Sequence, residues 1–191
     1  SRSIFDVVLT ELDSVPLHDK NKHGNTALHV CAASGFSDGA SIFLDMGAKI
    51  DEKNNYGATP LMLAVSSRSY TVTRILLEKG ADVSVKYKNG GDSLAHFAVQ
   101  KGKDTEPLLR ILGKHGVSMQ ECDDDGNTPL HNAVQENNMD AIRILVDDMG
   151  VDLTLRNKAG KTPLHIAVDL ESEHILSYFK EVLEDRMNNP N

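Results

Sequence analysis

Apolar side chains recur along this chain in short blocks at helical spacing, and each block closes on a glycine. Val72, Ile75 and Leu76 stand at i, i+3 and i+4, with Glu78 and Lys79 on the polar side and Gly80 after them. That spacing gathers the apolar groups on one face of a helix, and a glycine at its end supplies a left-handed cap. Matching blocks lie at 42–46, 108–112 and 142–146, followed by Gly47, Gly116 and Gly150. Ahead of each runs a shorter stretch in which leucine and alanine form a narrow apolar stripe, small enough for a neighbouring helix pair to come close. The pattern predicts an all-α chain of paired helices.

The pairs repeat. Five segments align on Gly24, Gly57, Gly91, Gly126 and Gly160, with separations 57−24 = 33, 91−57 = 34, 126−91 = 35 and 160−126 = 34. The strings that follow are GNTALHVCA, GATPLMLAV, GDSLAHFAV, GNTPLHNAV and GKTPLHIAV. Each position has a physical job. The glycine turns the chain with positive φ. The threonine (Thr26, Thr59, Thr128, Thr162) is placed to cap the first helix with its hydroxyl. Proline at 60, 129 and 163 falls in the first turn, where a missing N–H costs nothing.

A T-P-L-H-x-A string at a period of about 33 residues resembles the ankyrin repeat, and the resemblance spans residues 20–183. It implies an ankyrin-repeat solenoid of stacked helix-turn-helix units with projecting β-hairpin fingers. The expected division is a partial, capping repeat at 1–19, then repeats at 20–52, 53–86, 87–121, 122–155 and 156–187, the last with a C-terminal cap, and a tail at 188–191. His29, His96, His131 and His165 share one signature position. The family's histidine there bonds backbone in the adjoining turn and ties neighbouring repeats, so these four are expected to be structural.

At the start of the chain, Ile4, Phe5, Val8, Leu9 and Leu12 recur at helical spacing with no signature before them, as the second helix of a partial repeat would. At the other end Ile175, Leu176, Phe179 and Leu183 interleave with Glu171, Glu173, Lys180 and Glu184, the pattern of a cap that is apolar inward and charged outward. Repeat 3 departs most. Ser93, Leu94 and Ala95 replace Thr, Pro and Leu, and its glycine-to-glycine span is 116−91 = 25, against 80−57 = 23 in repeat 2. Pro107 can open its second helix.

Composition narrows the function. A formal charge of −8 and pI near 5.4 are the wrong sign for a nucleic-acid binder. No apolar run reaches the ~18 residues of a membrane span. Only Cys31 and Cys122 are present, and there is no signal-peptide pattern, so a reducing intracellular location, cytoplasmic and/or nuclear, is expected. A chain starting at Ser1 rather than Met favours a piece of a larger protein.

Catalytic chemistry finds little support. The signature histidines stand one helix layer apart, ~10 Å, too far for one metal to bridge. The run DDDG at 123–126 imitates a calcium loop, but position 12 of that loop would be Asn132 rather than the bidentate Glu required. Cys31 sits on the alanine stripe as a small buried residue, and the acidic neighbours of Cys122 disfavour a thiolate. No GxSxG, Walker loop, HExxH or CxxC occurs. No catalytic residue, cofactor or metal is expected.

By resemblance the function is protein–protein recognition, as adaptor, scaffold or inhibitor, on the concave surface of fingers and inner helices. The alternative is a regulatory or targeting domain of a larger enzyme, receptor or channel. The expected partner is another protein, offering a peptide segment or a domain face, rather than nucleic acid, membrane or a small molecule. Ankyrin-like stacking points Lys22, Lys53, Tyr56, Arg68, Tyr87, Lys101, Asp124, Asp125, Glu136, Arg156 and Lys158 into the groove, with Tyr56, Arg68 and Tyr87 at its centre.

Overall fold

The structure, a computed structural model, describes residues 17–87, 91–100, 102 and 105–188. Its helices come in pairs: α1 Ala27–Ser34 with α2 Ser37–Asp45, α3 Pro60–Ser66 with α4 Tyr70–Glu78, and α5 Leu94–Ala98 with α6 Thr105–Lys114. The fourth pair is α7 Pro129–Gln135 with α8 Met139–Arg143, and the fifth α9 Pro163–Asp169 with α10 Glu173–Asn188. Each first helix packs on the next repeat's first helix and on its own partner, so one apolar core runs the length of the stack. The expected N-terminal capping helix at 3–12 and Lys101 lie outside the described residues, as do tail residues 189–191.

The start of each first helix carries more than the expected hydroxyl cap. Thr59 and Thr162 Oγ1 accept the N–H of Met62 and His165 (3.4 Å each), and a reciprocal capping box stands at every one of the five starts. In four repeats the signature histidine reaches back. The backbone N–H of Thr26, Ser93, Thr128 and Thr162 donates to Nδ1 of His29, His96, His131 and His165 at 3.1, 3.1, 3.1 and 3.3 Å. Because Nδ1 accepts, Nε2 carries the proton and can donate. It does so across the junction, from His29 to the Ala58 carbonyl (3.1 Å), His96 to Asn127 (2.9 Å) and His131 to Lys161 (3.0 Å). One ring thus satisfies an orphan helix donor and staples two repeats. Burial holds His29 and His131 below the usual imidazole range, which favours the neutral ring this geometry needs.

The described finger residues form no β-hairpin ladder. Among the described residues the one β feature is an isolated antiparallel bridge between Lys86 and Ser93. Elsewhere an Asn or Asp three residues before the glycine does the work of a strand ladder. Asn54 Oδ1 accepts from the N–H of Tyr56 and Ala58, Asp123 Oδ1 from Asp125 and Asn127, and Asn157 Oδ1 from Ala159 and Lys161. Asn21 does the same with His23 and Asn25. The side chain takes the donors that a facing strand would take. Repeat 3 has Lys88 at this position and is the repeat that carries the bridge.

The extra residue of repeat 4 is absorbed in its outer helix. Repeat 4 spans 150−126 = 24 residues between its glycines, against 23 in repeat 2. The surplus appears as a π turn, Ile144–Asp148, at the end of α8. In repeat 3, α6 begins at Thr105, so Pro107 sits inside its first turn.

Candidate protein-binding surface

The finger tips and inner helices share one side of the stack, and its two halves differ. On repeats 1 and 2, Tyr56 is 65% exposed, stacks on His23 with ring centroids 6.3 Å apart, and contacts His23 Nδ1 through its hydroxyl (3.3 Å). Lys22 and Lys53 are exposed beside it, and their ammonium groups make no ion pair among the described residues. Val30, half exposed on α1, adds an apolar spot. Lys20, by contrast, is committed: it pairs with Glu52 and donates to the Lys53 carbonyl (3.0 Å), and its charge holds the Glu52 carboxyl below the usual range.

On repeats 3 and 4 the surface turns acidic. Asp124, Asp125 and Glu136 are exposed, and none of their carboxylates is hydrogen-bonded among the described residues. Between the repeats, Asp92, His96, Phe97, Gln100, Asn132, Gln135 and Glu136 line a small cavity of ≈ 90 Å³. Burial raises the Asp92 carboxyl above its usual range, despite the opposing pull of His96, and the carboxylates at 123–125 add to the rise.

Asp92, His96 and Asp123 bring possible ligand atoms within 4.8 Å of one another. The donor set does not fit a metal. His96 spends Nδ1 on the Ser93 N–H and Nε2 on the Asn127 carbonyl. Asp123 uses Oδ1 for two backbone N–H groups and Oδ2 for the Asn127 amide. The calcium-like run is therefore an Asx turn. Cys31 is buried, which pushes its thiol up, and Cys122 is exposed on the fourth finger.

The other candidate residues are held within the stack. Tyr87, expected at the centre of the interface, is half-buried: its ring lies 4.2 Å from Phe97 and its hydroxyl donates to the Met62 carbonyl at 3.1 Å. Arg68 sits between α3 and α4 at φ 59°, with Nη1 on the Gln100 carbonyl (2.7 Å) and Nη2 on Thr105 Oγ1 (2.5 Å). Both bridge repeats 2 and 3, where Met62 replaces the signature histidine. Arg156 is exposed and donates to the Gly160 carbonyl (2.6 Å) in its own finger, and Lys158 donates to the Asp124 carbonyl of the preceding one. The sequence reading overlooked Asp92 and Phe97. Their signal was register: Asp92 follows a finger glycine, and Phe97 lies four residues after Ser93, where Val30 stands in repeat 1.

Comparison with known proteins agrees with this architecture. Residues 4–87 and 95–188 match the family model described as ankyrin repeats (3 copies). The chain is similar to protein phosphatase 1 regulatory subunit 12A of Mus musculus, 38% identical over 98 residues, covering 51% of this chain and 9% of that protein. It is also similar to I-Kappa-B like protein C2 of Microplitis demolitor bracovirus, 38% identical over 87 residues, covering 44% of this chain and 48% of that one. Intracellular phospholipase A2 of Caenorhabditis elegans is 24% identical over 189 residues, 94% of this chain but 14% of its own length. The chain thus spans less than half the length of each of these relatives. Among the described residues, no helix is long and apolar enough to cross a membrane.

Proposed function

Because this chain belongs to the ankyrin-repeat family, a family that generally mediates protein binding, we propose that it grips a protein segment along its concave surface and performs no chemistry on it. The observation that carries this reading is the division of charge there. Lys22 and Lys53 flank the exposed Tyr56 on repeats 1 and 2, and Asp124, Asp125 and Glu136 stand on repeat 4, all without side-chain ion pairs among the described residues. Unpaired charges of opposite sign at two places along one surface select a segment with acidic groups over repeats 1 and 2 and a basic group over repeat 4. Tyr56 supplies the large amphipathic contact typical of a binding centre. The protein works inside the cell as an adaptor, scaffold or inhibitor.

The test is affinity capture with three forms of the chain. Wild type and the outer-helix variant Arg74→Glu should retain the same protein, and the groove variant Lys22→Glu/Tyr56→Ala/Lys53→Glu should lose it. Equal retention by the groove variant, with loss on Arg74→Glu, would place the partner on the convex side. A second reading, an ankyrin portion regulating or targeting a longer polypeptide, is favoured by the 9% and 14% shares of the mouse and nematode relatives. The complete reading frame decides it.

A further inference from the structure

Two of the repeat junctions are tied by an asparagine pair beside the fingers. Asn25 Oδ1 accepts from Asn54 Nδ2 between repeats 1 and 2, and Asn127 Oδ1 from Asn157 Nδ2 between repeats 4 and 5, at 2.8 Å each. Between repeats 3 and 4 the same two positions hold Asp92 and Asp123. Ionised carboxylates only accept, so this pair cannot form the bond. Asp123 is satisfied within its own finger, through Oδ1 to the N–H of Asp125 and Asn127 and through Oδ2 to the Asn127 amide. The Asp92 carboxyl is left with no hydrogen bond or ion pair among the described residues.

Asp92 lines the small cavity between α5 and α7, and its neighbours there share that condition. The side chains of Gln100, Asn132, Gln135 and Glu136 also make no hydrogen bond among the described residues. Two carboxylates and three amides therefore present accepting oxygens to one space, and no lysine or arginine lines it. Phe97 adds an aromatic wall, held by its contact with Tyr87, whose hydroxyl is fixed on Met62. Burial and the carboxylates at 123–125 already hold Asp92 above its usual range, so a positive charge brought here relieves a like-charge cluster.

Size and donor geometry narrow the occupant. The cavity of ≈ 90 Å³ is far below the roughly 300–1,000 Å³ of a small-molecule site. At about 30 Å³ per water molecule it has room for the head of one side chain. A guanidinium is planar, carries five N–H donors in a fixed fork and stacks on aromatic rings, whereas an ammonium is a compact, strongly hydrated point charge. On the premise that the inner-helix side grips a protein segment, we propose that an arginine of that segment seats its guanidinium in this cavity. It lies against Phe97, pairs with the Asp92 and Glu136 carboxylates, and donates to the amide oxygens of Asn132 and Gln135. The acid pair at this junction gives up the asparagine tie of the other two and makes an acceptor for the partner instead.

NMR of the full chain titrated with N-acetyl-arginine amide tests the pocket without a partner. Saturable shifts are expected at the Phe97 ring and at the Gln100, Asn132 and Gln135 side-chain amides, with a dissociation constant on the order of millimolar. N-acetyl-lysine amide, equal in charge, should bind about fivefold more weakly. Asp92→Asn/Glu136→Gln should abolish the saturable shifts and keep the fold, since asparagine already stands at the Asp92 position in repeats 1 and 4 and Glu136 is exposed. Lys22→Glu/Tyr56→Ala/Lys53→Glu should bind the capped arginine as wild type does. No saturable shift, lysine binding as tightly as arginine, or shifts that survive Asp92→Asn/Glu136→Gln overturns the pocket. Affinity capture separates the pocket from the premise. A protein lost by the Lys22/Tyr56/Lys53 variant but kept by Asp92→Asn/Glu136→Gln overturns the pocket and leaves the grip standing, and one kept by both overturns both.

Discussion

The Tyr87 hydroxyl donates to the Met62 carbonyl, 3.1 Å away, at the junction where the histidine staple is missing. Met62 fills the signature position with a thioether that takes the Thr59 N–H (3.4 Å) but has no proton to send across to repeat 3. Tyr87 and Arg68 supply the polar bonds between repeats that the ring would otherwise have supplied.

Tyr87→Phe therefore keeps the ring on Phe97 and removes the second bond to a carbonyl inside α3, at a cost of about 0.5–1.5 kcal/mol in denaturant unfolding. Tyr56→Ala, at an exposed finger tip, should leave the denaturation midpoint in place. Burial pushes the Tyr87 phenol up to about 12. A folded-state value above the ordinary one means this contribution is complete below the unfolded value, near 10. It is lost as pH rises through about 12. An alkaline titration of stability should show the loss in wild type and not in Tyr87→Phe.

The acid side is governed by the staples. His29 and His131 are neutral donors with folded-state values held below the usual 6.5, so the unfolded chain binds protons first as pH falls. Stability from these rings is complete above 6.5 and declines as pH drops through that value toward the lower folded one. His131→Ala should cost on the order of 1–3 kcal/mol at neutral pH, because it strands the Thr128 N–H and leaves the Lys161 carbonyl only its local bond from Asn157. The mutant should lose less than wild type between pH 7 and 5. Equal slopes would show that the ring is not held neutral.

The repeat, its period and the structural role of the histidines were legible in the sequence because each imposes a strict spacing. The groove was less legible. Finger register marks which residues stand near the concave side, but it does not say which are already bonded. Tyr56 and Tyr87 look alike in the sequence, yet one stands exposed against His23 and the other is half-buried on Met62. The same holds for the finger backbone. An Asn three residues before a glycine predicts a turn, and only the observed bonds show that Asn54 and Asn157 replace a strand ladder.

Thr73, in α4, is fully buried and its Oγ1 has no hydrogen-bond partner among the described residues. An unmet hydroxyl in a dry site costs free energy that a methyl group does not. Thr73→Val should raise stability by about 1 kcal/mol, read as an increased denaturation midpoint with an unchanged slope. A loss of stability would reveal a partner for the hydroxyl, such as an internal water.

Arg68 offers a sharper separation of effects, since it combines side-chain hydrogen bonds with an unusual backbone. At φ 59° it occupies the left-handed region, as Asn137 and Glu171 do in repeats 4 and 5 and Gly35 does in repeat 1. A side chain bearing a Cβ there is strained by roughly 1 kcal/mol, whereas glycine is not. Arg68→Ala and Arg68→Gly both remove the bonds to Gln100 and Thr105, so any difference between them reports the backbone. Both should destabilise, by about 1–3 kcal/mol for charged hydrogen bonds lost at a part-buried site. The glycine variant should retain about 0.5–1 kcal/mol more than the alanine variant. If alanine proves the better replacement, the turn between α3 and α4 relaxes out of the left-handed region once the guanidinium is gone. The arginine would then be holding the backbone in place.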